Sequence, residues 1–191
     1  QDYTHLDDAR KALLEEQGHI CCFCMRRIAI RQMKIAHWAP QSLHPDRTMD
    51  WTNLMGACPG GDGDRDAVKH CDTAQGDIPI KLNPADRSQQ CERFVRYSID
   101  GRVWSEDADI NKDLDRTLNL NHAALMRARL AVWSAFVTRM EKQQSRNGQW
   151  SPESIEQELA EWLRRDKQGM LREFCQVVIY HLEKKRRRNN R

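Results

Sequence analysis

At 191 residues the chain is long enough for one good hydrophobic core or two small ones. Hydrophobic residues make up 39% and charged residues 31%, and no apolar run approaches the roughly 20 residues of a membrane-spanning helix, so the sequence reads as a soluble globular protein. A net charge of +3 does not separate a nucleic-acid binder from an ordinary domain, but six basic side chains crowd the last eight residues, KKRRRNNR from Lys184.

Residues 7–17 predict a short amphipathic helix, with Ala12, Leu13 and Leu14 able to face a core and Gly18 placed to end it. The next stretch, HICCFCMRRI, holds three of the seven cysteines within four residues. Cys21-x-x-Cys24 is a spacing that lets two thiolates on a tight knuckle bind one tetrahedral zinc, with Cys22 able to take the place of Cys21. In residues 28–38 the apolar positions Ile28, Ile30, Met33 and Ile35 stand among basic ones, which predicts two short strands around a turn near Arg31 and Gln32. Trp38 and Trp51 are expected to wall the core. No charged segment with an apolar run behind it opens the sequence, so nothing in it argues for export.

Residues 59–66, PGGDGDRD, cannot hold a regular element and predict a loop. Cys58 and Cys71 flank it, and such a loop brings its ends together at small entropic cost. Clustered cysteines, odd in number, favour metal over disulfides, and the set expected to hold a structural zinc is Cys21, Cys24, Cys58 and Cys71. Cys91 and Cys175 read as small buried hydrophobes. In ERFVRYSIDGRVWS, Asp100-Gly101 between two alternating runs predicts a β-hairpin. Helices follow. One spans about residues 121–142, with Leu125, Ala128, Val132, Trp133, Phe136, Val137 and Met140 at helical spacing. A second opens at Ser151-Pro152 and carries Ile155, Leu159, Trp162 and Leu163 on one face. Gly169 punctuates it, and a third runs from residue 170 to about 185.

Between the cysteine pairs, MKIAHWAPQS places His37 at a strand end, and Trp51-x-Asn53-Leu54 enters the next element. This layout suits metal-assisted phosphodiester hydrolysis: an imidazole takes a proton from water, an amide side chain fixes the ring through its other nitrogen, and a divalent cation polarises the phosphate. His70 reads as a capping or zinc-neighbouring group as readily as a ligand, and His19 as a cover for the knuckle. His44 reads as a loop residue, and His5, His122 and His181 as surface or capping groups.

The order Cys21-x-x-Cys24, His37, Trp51-x-Asn53-Leu54, Cys58, His70-Cys71-Asp72 resembles the HNH endonucleases. It looks most like the branch encoded with retron and Septu anti-phage systems, through His37-Trp38-x-Pro40-Gln41-Ser42, Trp51-x-Asn53-Leu54, His70-Cys71-Asp72-Thr73, KLNPADR from Lys81 and TLNLNHAALMRAR from Thr117. The resemblance spans about residues 10–140 and leaves the C-terminal helices outside. It implies an α+β fold: a ββα-metal nuclease core with a zinc knuckle over residues 1–115, including the hairpin, and a helical module with a basic tail over residues 116–191. It implies a bacterial cytoplasmic nuclease cutting DNA, or RNA such as tRNA, as the effector of anti-phage defence. Its implied partners are a controlling ATPase subunit and a retron reverse transcriptase with its msDNA.

Carried over residue by residue, the resemblance makes His37 the general base and Asn53 the residue that orients it. Cys21, Cys24, Cys58 and Cys71 hold the structural Zn2+, and Asp72, with His70 as the nearest further candidate, binds a catalytic Mg2+ or Mn2+. From the charge run alone, Lys184, Lys185, Arg186, Arg187 and Arg188 either contact nucleic-acid phosphates or form a solvated tail. Two positions depart from the family pattern. Ala36 stands where an acidic metal ligand precedes the catalytic histidine, and Gln75 where a lysine commonly follows. The alternative expectation is therefore a catalytically disabled module that binds nucleic acid or docks an ATPase.

Overall fold

In the computed structural model residues 3–143 and 150–189 are described. The elements in chain order are helix α1 (Tyr3–Gln17), strands β1 (Lys34–His37) and β2 (Leu54–Ala57), short helix α2 (Asp72–Gln75), strands β3 (Arg96–Tyr97) and β4 (Val103–Trp104), and helix α3 (Ala108–Lys112). A π-helical turn (Asp113–Thr117) then leads to helices α4 (Ala123–Gln143), α5 (Pro152–Leu163) and α6 (Cys175–Asn189). The architecture is α+β, with two separate two-stranded antiparallel sheets.

Helix α1 ends where Gly18 turns into the left-handed region at φ +63°. Leu13 and Leu14 are buried but Ala12 faces solvent. Successive helical residues are about 100° apart, so three in a row do not share one narrow stripe. The side chain of Gln17 ties this helix to β2, donating to the Gly56 carbonyl at 2.8 Å and accepting from the Gly56 amide at 2.6 Å.

Of the two strands expected in residues 28–38, only β1 forms; Ile30–Gln32 is a 3-10 turn. Its partner comes from farther along the chain, with Lys34 opposite Ala57, Ile35 opposite Gly56, Ala36 opposite Met55 and His37 opposite Leu54. Alternation marks a half-buried strand without saying which strand completes the pair. The Asp100-Gly101 hairpin forms as expected, pairing Arg96 with Trp104 and Tyr97 with Val103. Gly101 has φ +86°, and a Cβ there would sit 2.1 Å from the Met126 carbonyl oxygen, so the turn lets α4 approach closely. Buried Arg129 seals this contact, donating to the carbonyls of Gly101 at 2.5 Å and Leu120 at 2.6 Å.

Ser151 caps α5 by accepting from the Ser154 amide, and Pro152 occupies its first turn. Ile155, Leu159 and Trp162 are buried, while Leu163 is 57% exposed. Helix α6 starts later than expected. The backbone before it is taken by long-range bonds, from the Leu171 amide to the Gly18 carbonyl at 2.9 Å and from the Phe174 amide to the Met25 carbonyl at 3.1 Å. One hydrophobic core runs from Leu13 through Cys71 and Leu118 to Val178, continuous across residue 115. Among the described residues no helix is long and apolar enough to cross a membrane.

His181 is not a surface group: it lies 4.3 Å from Trp133, ring to ring, and its Nε2 is buried without a partner. Burial first, then the charge of Lys184, pushes its pKa down to about 4. The unfolded chain takes up this proton near pH 6.5 and the folded chain only near 4, so the stability that neutral His181 contributes is full above 6.5 and declines as pH falls toward 4. In urea titrations at pH 7.5 and 5.0, His181→Phe is expected to lose less stability on acidification than the wild type.

Candidate metal centre and histidine site

Three segments bring the cysteines together. The Ile20–Arg27 bridge closes the knuckle that holds Cys21 and Cys24. Cys58 directly follows β2, and Cys71 directly precedes α2. Cys71 adopts φ +55°, held by its amide bond to the Leu118 carbonyl at 2.8 Å. The four sulfurs lie within 4.8 Å of one another and all four residues are buried. Cys21 to Cys71 is 3.9 Å and Cys24 to Cys58 is 3.8 Å. A zinc with four sulfurs at about 2.3 Å places them about 3.8 Å apart, so the cluster has the dimensions of a tetrahedral zinc site. Cys22 is outside the cluster, which resolves the Cys21/Cys22 alternative in favour of Cys21.

The electrostatics of the cluster call for a cation. Burial pushes the Cys21 thiol up, but hydrogen bonds from Cys22, Cys24, Cys58 and Cys71 outweigh it and hold Cys21 well below the ordinary thiol value. Cys24 is raised well above that value, first by its bond to Cys21, and Cys71 first by burial. Cys58, raised by its bond to Cys21 but lowered more by those from Cys24, Cys71 and His70, comes down to about 6, so thiolates at Cys21 and Cys58 oppose ionisation of the other two, an opposition that a divalent ion removes. His70 belongs to this centre: its Nδ1 is 3.1 Å from the Cys71 sulfur and 3.9 Å from that of Cys58, and its ring stacks on His122 at 4.7 Å. It therefore lies beside the four cysteines, where it was expected as the nearest further candidate for a catalytic ion. His122, expected at the surface, has a buried Nε2.

His37 ends β1, half-buried, and its Nε2 is 3.1 Å from the Thr48 carbonyl oxygen. A carbonyl only accepts, so this bond keeps the proton on Nε2 and leaves Nδ1 with the basic lone pair. None of the Asn53 side-chain hydrogen bonds goes to the imidazole. The fully buried Asn53 amide accepts from the Ala39 amide at 2.7 Å and donates to the carbonyls of Ala39 and Arg47, each at 3.1 Å. Asn53 thus braces the loop that presents Thr48 and orients His37 only through that loop. Arg47, bonded to Asp50 at 3.0 Å, tightens the same loop.

No family model matches the chain, and neither does any curated protein.

The donors for a catalytic Mg2+ or Mn2+ are incomplete. Among the described residues the cysteines form the one cluster of three or more metal-ligating side chains. Successive strand residues face opposite sides, so Ala36, fully buried, shares the Lys34 side of β1 and not that of His37. On that side the Lys34 ammonium reaches Asp72 at 2.9 Å, Thr73 Oγ1 at 3.2 Å and Asp62 at 3.5 Å. Burial alone would lower the Lys34 pKa, but Asp72 and Asp62 outweigh it and hold it above its usual value. Asp72 is therefore already paired with a cation, and position 36 offers no side-chain oxygen. Gln75 donates to the Trp38 carbonyl at 3.4 Å, so α2 does lie against the end of β1.

The basic C-terminal residues divide. Helix α6 continues through them to Asn189, while Asn190 and Arg191 lie outside the described residues. Lys185 sits 4.0 Å over the Trp150 ring and Arg186 pairs with Glu183 at 2.7 Å, so both are engaged within the protein. Lys184, Arg187 and Arg188 are exposed. Sequence reasoning missed Lys34, whose partners lie 28 and 38 positions away (62 − 34 and 72 − 34), and Arg47. It also placed Trp51 in the core, where the structure exposes it by 43%.

Proposed function

We propose that the chain is an HNH-type endonuclease that hydrolyses phosphodiester bonds in nucleic acid, built on a zinc-held ββα unit. The observation that carries this reading is His37: it ends the first strand of a hairpin, with Nε2 tied to Thr48 and Nδ1 left basic. The hairpin is closed by a short helix hung on the four-cysteine centre. In this reading Nδ1 takes the proton from a water that attacks phosphorus, and the departing oxygen is protonated by solvent. Mg2+ or Mn2+ is the ion the resemblance implies, but this chain supplies only the paired Asp72 for it, and the reading rests on His37. The resemblance extends the proposal to DNA, or RNA such as tRNA, cut in anti-phage defence under control of an ATPase subunit, with a retron reverse transcriptase and its msDNA as further partners.

A second reading has its own support in Ala36. Without a carboxylate there, the chain is a zinc-knuckle module that binds nucleic acid or docks the ATPase with little or no cleavage.

Plasmid and tRNA cleavage in Mg2+ and Mn2+ buffers separates the two. On the first reading the wild type nicks, His37→Ala lowers the rate by about 10²- to 10⁴-fold, the usual contribution of a general base, and Ala36→Asp raises it. Cleavage that survives His37→Ala would sink the first reading. Silence of both the wild type and Ala36→Asp would establish the second.

A further inference from the structure

A cavity of about 1570 Å³, walled inside by α1, the cysteine knuckle and core residues such as Leu118, opens between residues 84–97, the last turns of α6 and the loop joining β1 to β2. Beside the buried Arg129, six basic side chains line it, Arg87, Arg93, Arg96, Lys184, Arg187 and Arg188, against three glutamates. One of those glutamates, Glu183, is already paired with Arg186 at 2.7 Å. Among the described residues Arg87, Arg93 and Arg188 are exposed and make no ion pair. A field of this sign favours a polyanion.

Two further features narrow the occupant. Trp51, on the cleft wall, is 43% exposed, a flat apolar face of the kind on which a base stacks. Thr52, Ala85 and Arg87 are shared with a second hollow of about 490 Å³, whose wall includes Trp38 and Arg47, the chain neighbours of His37 and Thr48. The indole Nε1 of Trp38 is buried there without a hydrogen-bond partner. The two hollows thus share a wall, and the second reaches Trp38 and Arg47, while His37 itself lines neither. A paired base has both faces covered by its neighbours in the stack, so an aromatic wall inside a cleft suits an unpaired strand, while a convex or flat basic surface suits a duplex.

We infer that this cleft is the track of an unpaired nucleic-acid strand, with Arg87, Arg93 and Arg188 on its phosphates and Trp51 against a base, leading the strand to His37. The inference rests on the nuclease reading for its direction but not for binding itself. It is tested by fluorescence anisotropy with the full chain carrying His37→Ala and fluorescein-labelled 20-nucleotide single-stranded DNA, single-stranded RNA and duplex DNA. Single strands are expected to bind at least tenfold tighter than duplex. Arg87→Glu/Arg93→Glu/Arg188→Glu is expected to weaken single-strand binding at least 100-fold, and to flatten the slope of log K against log salt by about 2, since each phosphate contact on a single strand contributes about 0.7. Trp51→Ala is expected to cost about tenfold or more. Arg127→Glu, on the exposed side of α4, is the charge control, and unchanged zinc content certifies each fold.

Equal losses in the triple variant and the control, wild-type affinity in the triple variant, or tighter binding of duplex would each overturn the cleft. Cleavage by the wild type is scored separately. Strand binding through the cleft with no cleavage would leave the inference standing and remove the nuclease reading. Cleavage with an indifferent triple variant would do the reverse.

Discussion

Cys24→Ser is expected to lose an equimolar zinc and with it the folded state. Zinc bound by four thiolates contributes an apparent ~10–16 kcal/mol to small structural sites, as large as the whole ~5–15 kcal/mol net stability of a typical domain. Here the ion would join three segments at one point: the 21–24 knuckle, the end of β2 and the start of α2. Serine at position 24 leaves three sulfurs and removes the tight S···S approach of 3.8 Å between Cys24 and Cys58. Metal analysis and thermal unfolding check this together. Cys22→Ser and Cys91→Ser, both outside the cluster, should keep one zinc and a melting point near that of the wild type. A Cys24→Ser protein that retains stoichiometric zinc and melts normally would refute the assignment.

The second large effect is expected at Asn53. Asn53→Ala strands the Ala39 amide and the carbonyls of Ala39 and Arg47 in a buried place. Each unsatisfied group costs about 1–3 kcal/mol, so about 3 kcal/mol in total is a conservative expectation. For a chain of this size that lowers Tm by roughly 6–12 °C. His37→Ala, which removes one bond from a half-buried ring, should move Tm by only about 2 °C. Any His37-dependent cleavage should fall in both, because without Asn53 the Thr48 carbonyl no longer fixes the imidazole. Asn53→Asp sharpens the point: it keeps the acceptor for the Ala39 amide but, as a carboxylate, cannot donate to the two carbonyls. If Asn53→Ala melted like the wild type, the bracing role would be wrong.

How far the site was legible before the fold was known depends on the range of the interaction concerned. The Cys21-x-x-Cys24 knuckle, the Ser151-Pro152 start of α5 and the Asp100-Gly101 hairpin were all readable, because each is decided by backbone and side-chain chemistry within a few residues. The distant pair Cys58 and Cys71 was readable only as candidates. What aims Cys71 at the cluster is a positive φ held by Leu118, 47 positions downstream (118 − 71). No local pattern announces that bond.

The amino-acid sequence by itself determined which chemistry was available: four thiols able to meet, a histidine at a strand end, a buried-type amide nearby, and no carboxylate at position 36. Tertiary structure alone decided how these groups are used. It paired β1 with β2 rather than with a local strand, gave Asn53 to the loop backbone instead of the imidazole, turned His70 toward the sulfurs, and filled the Asp72 site with Lys34. It also set Arg87 and Arg188 on the walls of one cleft although they are 101 positions apart (188 − 87). The physical reason is the same in each case: hydrophobic period and turn chemistry specify an element, whereas its partners are chosen by burial and by hydrogen bonds between segments that only the folded chain brings together.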